Sequence, residues 1–295
     1  RLGDSKFYIK GISYGPFAPN LDGEPFLSPE RTKADFQLIR ELNANVIRVY
    51  HVPPRWFLDL ALEYGLRVFI DIPWSKHVCF LDSESAKNEA RDAVRNAVRA
   101  CVGHSAVFAY SVVNEFPPDV VRWSGAEAVA DFVDELVAIA KGVDPECLCT
   151  FGNYPPTEYL RPRNLDFICF NVYLHHQKPF ENYLARLQML ANEKPLVIGE
   201  FGIDSLSEGA AFQAEALGWQ IETAFRGGLA GTVVFSFTDE WFKDGQSIDD
   251  WAFGLTTRSR EKKKAFAVVQ KQFQEAPYFK LPRYPRVSVV VASYN

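Results

Sequence analysis

Short apolar runs alternate with longer amphipathic segments along most of this chain. The apolar runs lie at residues 7–14, 45–51, 66–72, 107–114, 147–152, 167–172, 196–198 and 231–238. Most of them are apolar throughout and do not alternate with polar residues, which is typical of parallel strands that are buried on both faces. The pattern therefore predicts eight buried strands in a parallel sheet.

The segments between these runs have the hydrophobic spacing of amphipathic helices. They lie at residues 28–42, 54–65, 83–100, 125–141, 181–191, 208–226 and 261–274. Ser28 followed by Pro29 is a helix-start signal, because serine caps the first turn and proline fits its first position. Eight strands that alternate with helices along most of the chain predict an α/β fold, a (β/α)8 TIM barrel over residues 1–275. An open nucleotide-binding sheet fits less well, because its glycine fingerprint is poorly matched after the first strand.

Two glutamates stand where two of the predicted strands end. Glu200 follows the seventh run and has glycine nearby on both sides, at Gly199 and Gly202, which leaves space for a ligand. Glu115 ends the fourth run. Active sites of TIM barrels lie at the carboxyl ends of the strands, so we expect both carboxylates at one mouth of the barrel. A retaining glycosidase needs such a pair, roughly 5 to 5.5 Å apart, one as nucleophile and one as general acid.

At these positions the chain resembles the glycoside hydrolases of clan A, over about residues 7–275. These enzymes carry an acid/base glutamate after strand four, usually as Asn-Glu, and a nucleophilic glutamate at the end of strand seven. Asn114-Glu115 and Glu200 match those two positions. The resemblance implies that Glu200 attacks the anomeric carbon, that Glu115 is the acid and then the base, and that Asn114 binds the sugar 2-hydroxyl.

Three further residues match the same group. Arg48 corresponds to a strand-two arginine beside the nucleophile, and Tyr173 to a strand-six tyrosine that hydrogen-bonds it. Together they are expected to keep Glu200 ionised. Trp241 resembles the strand-eight tryptophan that forms the floor of the sugar site. Within the clan, residues 9–14 and 45–50 are similar to the β-1,3-glucanosyltransferases of family 72, and residues 231–237 and 251–255 also to the family 2 barrels, so the family stays open at this point.

Trp74, Tyr14 and His175 also lie at or just beyond predicted strand ends and are looser candidates for sugar subsites. Each has a structural alternative, since aromatic residues at such positions also pack in the core and histidines often serve as ordinary loop residues. A metal site at His175 and His176 is disfavoured, because adjacent residues of an extended chain point to opposite sides. No metal and no organic cofactor are expected.

Composition excludes several other functions. The net charge of −5 without a basic block argues against a nucleic-acid partner. No apolar run reaches the roughly 18 residues that span a bilayer. Five cysteines are present, in no spacing that suits a metal site or a disulfide framework, and we expect buried free thiols. The chain opens on Arg1, so we expect it to be part of a longer protein.

The last twenty residues differ from the rest. Three prolines are followed by a valine-rich run that ends in Ser-Tyr-Asn at residues 286–295. This run is similar to the opening strand of family 2 glycosyltransferases, and the alternative is a terminal strand that packs on the barrel. The resemblance implies that residues 276–295 are a linker and the first strand of a truncated glycosyltransferase domain, fused to the barrel. Nucleotide-sugar donors would then place the protein in the cytoplasm.

The sequence thus predicts a retaining glycoside hydrolase that acts on a β-linked glucan or related oligosaccharide or polysaccharide. Two alternatives remain open. A β-glucan transglycosidase would use the same residues and differ only in the acceptor, and a non-catalytic carbohydrate-binding barrel would keep the fold but lose a carboxylate. A TIM-barrel enzyme that works through metal or phosphate is disfavoured, because no ligand cluster or phosphate loop is present.

Overall fold

Eight parallel strands form a closed barrel in the computed structural model, which describes residues 5–278, 288 and 290. Within these residues the strands follow one another around the barrel in chain order, and β8 pairs with β1. The strands are β1 (Ile9–Ser13), β2 (Val46–Val49), β3 (Arg67–Asp71), β4 (Val107–Asn114), β5 (Cys149–Asn153), β6 (Ile168–Asn171), β7 (Leu196–Phe201) and β8 (Gly231–Val234). The predicted (β/α)8 TIM barrel is confirmed.

Helices connect the strands and cover the outside of the barrel. They are α1 (Pro29–Glu41), α2 (Arg55–Glu63), α3 (Glu84–Cys101), α4 (Pro118–Ser124), α5 (Ala126–Val143), α6 (Gln177–Ala191), α7 (Ser205–Glu208), α8 (Ala210–Arg226) and α9 (Lys264–Glu275). The Ser28 side chain accepts a hydrogen bond from the Arg31 N–H and caps α1, as its sequence predicts.

The two faces of the strands bury different sets of side chains. The larger apolar cluster lies between the strands and the helices and includes Phe36, Phe57 and Leu217. A smaller cluster takes residues from most of the strands, among them Phe69 and Val197, and fills the interior of the barrel. Burial on both faces explains why most of the strand sequences are apolar throughout.

The loops at the carboxyl ends of three strands carry elements that the hydrophobic pattern does not predict. The helix α4 follows β4, the short helix α7 follows β7, and a hairpin of β9 (Phe242–Lys243) and β10 (Gln246–Ser247) follows β8. The predicted eighth strand ends early at Val234. Beyond it, the N–H groups of Phe235 and Phe237 still donate to the flanking strands, at Phe201 O and Ser13 O, but the backbone also hydrogen-bonds to residues 253–256 and the regular ladder stops. These additions build up the mouth of the barrel where Glu115 and Glu200 lie.

The predicted glycosyltransferase strand and its linker lie almost wholly outside the described residues. Among the residues that are described, no helix is both long and apolar enough to cross a membrane.

Candidate active site

The two predicted carboxylates lie at the same end of the barrel. Glu200 is in β7, and Glu115 follows directly after the last residue of β4. Glu115 has a φ of 50°, in the left-handed region that non-glycine residues rarely adopt. Its backbone N–H donates to Gly152 O of the neighbouring strand at 2.7 Å. A glutamate held in this unfavourable conformation is typical of functional sites, where the surrounding structure fixes the side chain.

Three side chains hold the Glu200 carboxylate, which is only 7% exposed. The Tyr50 hydroxyl donates to Oε1 at 3.0 Å, and the Tyr173 hydroxyl donates to Oε2 at 3.0 Å. Arg48 Nη1 lies 3.1 Å from Oε1. The carboxylate therefore has a donor on each oxygen and cannot rotate freely, which is the arrangement that a positioned nucleophile requires.

The Arg48 guanidinium is completely buried and is shared among several partners. Both oxygens of Asp71 accept from it, through Nε and through Nη2, the latter at 3.0 Å. Nη1 also donates to Gly199 O at 2.7 Å, and Nη2 donates to Asn114 Oδ1 at 3.0 Å. A bidentate pair with Asp71 fixes the plane of the guanidinium and compensates its buried charge.

Asn171 connects the two halves of the site. Its Oδ1 accepts from Arg48 Nη1 at 3.2 Å, and its Nδ2 donates to Glu115 Oε1 at 2.8 Å and to Asn114 Oδ1 at 3.1 Å. It ends β6, in register with Glu200 on β7. Glu200, Arg48, Asn171 and Glu115 thus form one continuous chain of contacts across four strands.

Burial raises the pKa of Glu200 to about 7, and the negative charges of Glu115 and Asp71 add to this effect. The Arg48 charge and the Tyr50 hydrogen bond lower the pKa, but by less than burial raises it. Arg48 therefore acts on the pKa of Glu200 in the expected direction, but desolvation outweighs it.

This raised pKa gives a prediction for the pH dependence. A nucleophilic carboxylate must be ionised. An ordinary glutamate ionises at about pH 4.3, whereas burial raises the pKa of Glu200 to about 7. We expect kcat/KM for an aryl glycoside with a reactive leaving group to keep rising with pH until about neutrality. A rate that is already level at about pH 5, with the fold intact by circular dichroism, would contradict the environment described for Glu200.

Trp241 lies beside the carboxylate network on the Glu200 side. Its ring contacts the Tyr50 ring edge-on at 5.5 Å between centroids and the Phe235 ring at 4.8 Å. Trp251 and Phe253 extend this surface by packing on Phe235. We name Phe235, Trp241, Trp251 and Phe253 the aromatic wall. Apolar ring surface of this kind suits the stacking of a sugar ring, and the role of Trp241 as the floor of the sugar site stays a prediction.

Tyr14 is not in the site, and that prediction is wrong. The residue is 1% exposed, its hydroxyl donates to Asp35 at 3.0 Å, and its ring packs on Phe17 and Phe36 between the barrel and α1. The physical reason is the two-residue period of a strand. Ser13 faces the site, with its hydroxyl 3.0 Å from the Tyr50 hydroxyl, so the next side chain faces outward.

Trp74 and His175 lie at the same end of the barrel but outside the carboxylate network. The Trp74 indole N–H donates to Val112 O at 2.9 Å, and its ring packs on Phe80 and Phe116, which favours the structural alternative. His175 is half-buried, and its Nε2 has no partner among the described residues. No hydrogen bond among the described residues joins either side chain to Glu115 or Glu200.

Tyr50 and Asn171 belong to the site but are absent from the sequence-based set. Signals for both were present: Tyr50 is two residues beyond Arg48 and so shares its face, and Asn171 ends its strand as Asn114 ends another. Within the described residues, no group of three or more His, Cys, Asp or Glu side chains is arranged to hold a metal ion.

The tight packing around Arg48 gives a second prediction. A methyl group on Gly199 would collide with Cys169 Sγ and would lie 2.9 Å from Arg48 Nη1. We expect Gly199→Ala to displace Arg48 and to lower kcat/KM by roughly 100-fold, because a misplacement of about 1 Å costs that much. Gly142→Ala is the control, since open space surrounds Gly142 in α5 and alanine favours a helix. Wild-type activity in Gly199→Ala would show that the position of Arg48 does not matter.

The sequence matches the family described as "Glycosyl hydrolases family 2, TIM barrel domain" over residues 3–276. Among curated proteins, the β-glucuronidase of Felis catus is 28% identical over 221 residues, which is 68% of this chain and 32% of the relative. The β-glucuronidase of Paenibacillus borealis is 24% identical over a 303-residue alignment, which is 93% of this chain and 50% of the relative. The chain therefore spans half or less of the length of these two relatives.

Solved structures show the same fold. A β-galacturonidase from Eisenbergiella tayi bound to galacturonate superimposes with a TM-score of 0.75 at 22% identity, covering 91% of this chain and 51% of that chain. A β-glucuronidase from Bifidobacterium dentium superimposes with a TM-score of 0.78 at 18% identity, covering 91% of this chain and 46% of that chain. At such identities the likeness extends to the barrel and carries no statement about substrate.

Proposed function

The chain belongs to glycosyl hydrolase family 2, whose TIM-barrel domain it contains, and on that premise we propose that it is the catalytic barrel of a retaining β-glycoside hydrolase. The observation that carries the proposal is the continuous chain of contacts from Glu200 through Arg48 and Asn171 to Glu115. Two carboxylates held by one network at the mouth of a barrel are what double displacement needs.

In the first step, a Glu200 oxygen attacks the anomeric carbon while Glu115 gives its proton to the departing glycosidic oxygen. The bond to the aglycone breaks, and a covalent glycosyl ester on Glu200 forms. Tyr50 and Tyr173 hold the attacking carboxylate in line. Glu200 becomes a neutral ester in this step, and the negative charge ends on Glu115, which has lost its proton. Arg48 keeps its pair with Asp71, so its buried charge is not left uncompensated.

In the second step, Glu115 removes a proton from water, and the water oxygen displaces Glu200 from the sugar. Asn114 has a defined role in both steps, because its Oδ1 already accepts from Arg48 and from Asn171. Its amide nitrogen is therefore the group left to donate to the sugar 2-hydroxyl. That contact strengthens as charge develops on the ring, which stabilises the transition state.

We propose a β-linked uronic acid as the substrate class, since the curated relatives above are named β-glucuronidases. The comparisons give no support to the expected β-glucan substrate or to the family 72 resemblance. Transglycosylation would use the same residues, and no observation of this site favours it. The non-catalytic alternative is disfavoured because both carboxylates are present and connected.

The test is the anomeric configuration of the first product, followed by proton NMR on a panel of aryl β-glycosides that includes the glucuronide, galacturonide and glucoside. Retention predicts that the β anomer appears first and mutarotates later. A first-formed α anomer would show inversion and would reject the double displacement. A panel without any hydrolysed member would reject the proposed activity itself.

A further inference from the structure

Lys76 is a cation at the mouth of the barrel for which the described residues supply no partner. It lies in the loop after β3, five residues beyond Asp71, and its backbone N–H donates to Trp74 O at 2.8 Å. The side chain is half-buried. Among the described residues, its ammonium has neither a carboxylate partner nor a hydrogen-bond acceptor.

Other buried or half-buried cations near this end of the barrel are already neutralised. Arg48 pairs with Asp71, Arg260 with Asp35 at 2.8 Å, and Lys263 with Asp239 at 3.0 Å. Lys76 differs from them, although withdrawing an ammonium from water without a partner is unfavourable. A half-buried ammonium without a carboxylate partner, in a candidate binding site, is available to pair with an acidic group of the ligand.

The surroundings of Lys76 place it close to the reaction. The loop after β3 lies at the same end of the barrel as Glu115 and Glu200. Burial lowers the pKa of the Lys76 ammonium, the charges of Glu115, Asp71 and Glu200 raise it, and the Arg48 charge lowers it. The ammonium nevertheless forms no ion pair with any of the three carboxylates. Lys76 is therefore a cation at the mouth of the barrel that is not committed to either catalytic carboxylate.

The aromatic wall offers no such charge. The aromatic wall supplies apolar ring surface, and the Trp251 indole N–H, which is buried without a partner among the described residues, is neutral. Lys243 on β9 is exposed, so water and salt screen its charge. Lys76 is therefore better placed than Lys243 to meet an acidic group of a bound sugar.

We propose that Lys76 is a specificity-determining residue that binds the carboxylate of a uronic acid in this site. The inference rests on the proposed glycosidase function for its location, but it makes a separate claim about which sugars bind. A uronide differs from the matching glucoside by a carboxylate in place of a hydroxymethyl group. An ammonium that is already partly desolvated gains more from that carboxylate than from a hydroxyl.

The test compares one sugar pair in two assays. Equilibrium binding of D-glucuronate and D-glucose is measured by protein fluorescence, and kcat/KM is measured for the corresponding aryl β-glycosides. In wild type we expect the acidic member to be preferred in both assays. Lys76→Gln should lower the preference for the acidic over the neutral sugar, as a ratio of affinities or of kcat/KM values, by roughly 10- to 100-fold. Lys76→Arg should retain part of that preference. Lys271→Gln, on the exposed face of α9, is the matched control.

The salt dependence of glucuronate binding distinguishes a charge contact from a structural role of Lys76. Added sodium chloride should weaken glucuronate binding in wild type and have little effect on it in Lys76→Gln. An unchanged ratio in Lys76→Gln, or a wild type that prefers the neutral sugar, overturns the inference and leaves the proposed activity standing. Lys76-dependent glucuronate binding without hydrolysis of any glycoside supports the inference and rejects the proposed activity.

Discussion

Glu200→Gln is expected to abolish turnover, with a loss in kcat of roughly 10⁴-fold or more, because the amide cannot form the glycosyl ester. The replacement keeps the size of the side chain, and its amide oxygen can still accept from a tyrosine hydroxyl. The loss should therefore reflect chemistry and not a collapsed site. Activity is measured on the aryl β-glycosides, with substrate binding followed separately.

The stability of this variant provides an independent check. Burial raises the pKa of Glu200 to about 7, so the folded protein holds an ionised Glu200 above that pH at a cost in free energy. Above about pH 7 we therefore expect Glu200→Gln to unfold at the same or a higher temperature than wild type. Glu208→Gln, at an exposed position on α7, is the control and should match wild type in rate. Substantial residual turnover in Glu200→Gln would show that Glu200 is not the nucleophile.

Glu115→Gln is expected to give a loss that depends on the leaving group. An alkyl or sugar alcohol must be protonated as it leaves, so its kcat/KM should fall by about 10² to 10⁴-fold. A dinitrophenolate leaves without protonation, so its first step should be nearly unchanged. The glycosyl-enzyme should then accumulate, because no base is left to activate water, and a burst of product should precede slow turnover.

An added nucleophile separates the two roles of Glu115. Azide needs no base, so it should restore turnover of the dinitrophenyl substrate and give the β-glycosyl azide. Glu127→Gln, exposed in the first turn of α5, should behave as wild type. An equal loss for all leaving groups, without azide rescue, would mean that Glu115 supports the fold of the site and not proton transfer.

Much of the fold could be predicted because a barrel strand is buried on both faces, and runs such as Val107–Asn114 show this directly. The ends of elements were less predictable. The regular eighth strand stops at Val234, where the following backbone divides its hydrogen bonds between the flanking strands and residues 253–256, and such long-range contacts leave no local pattern. The hairpin of β9 and β10 is two residues per strand, too short for a periodic signal.

The site could be predicted where a residue's role follows from the strand end it occupies. Glu115, Glu200, Arg48 and Tyr173 are of this kind, and the structure brings them together. The prediction for Tyr14 fails because the position of a strand end does not determine which way its last side chain points. The raised pKa of Glu200 could not be predicted either, because it depends on how completely the neighbouring strands exclude water.

Covalent trapping identifies the residue that forms the glycosyl ester. A 2-deoxy-2-fluoro-β-glycosyl fluoride of the preferred sugar slows both steps while keeping a reactive leaving group, so the glycosyl-enzyme should persist. We expect one sugar to add to the intact protein, and peptide mass spectrometry to place it on Glu200. A sugar attached to another residue, or rapid hydrolysis of the fluoride to the α product without any adduct, would contradict the account.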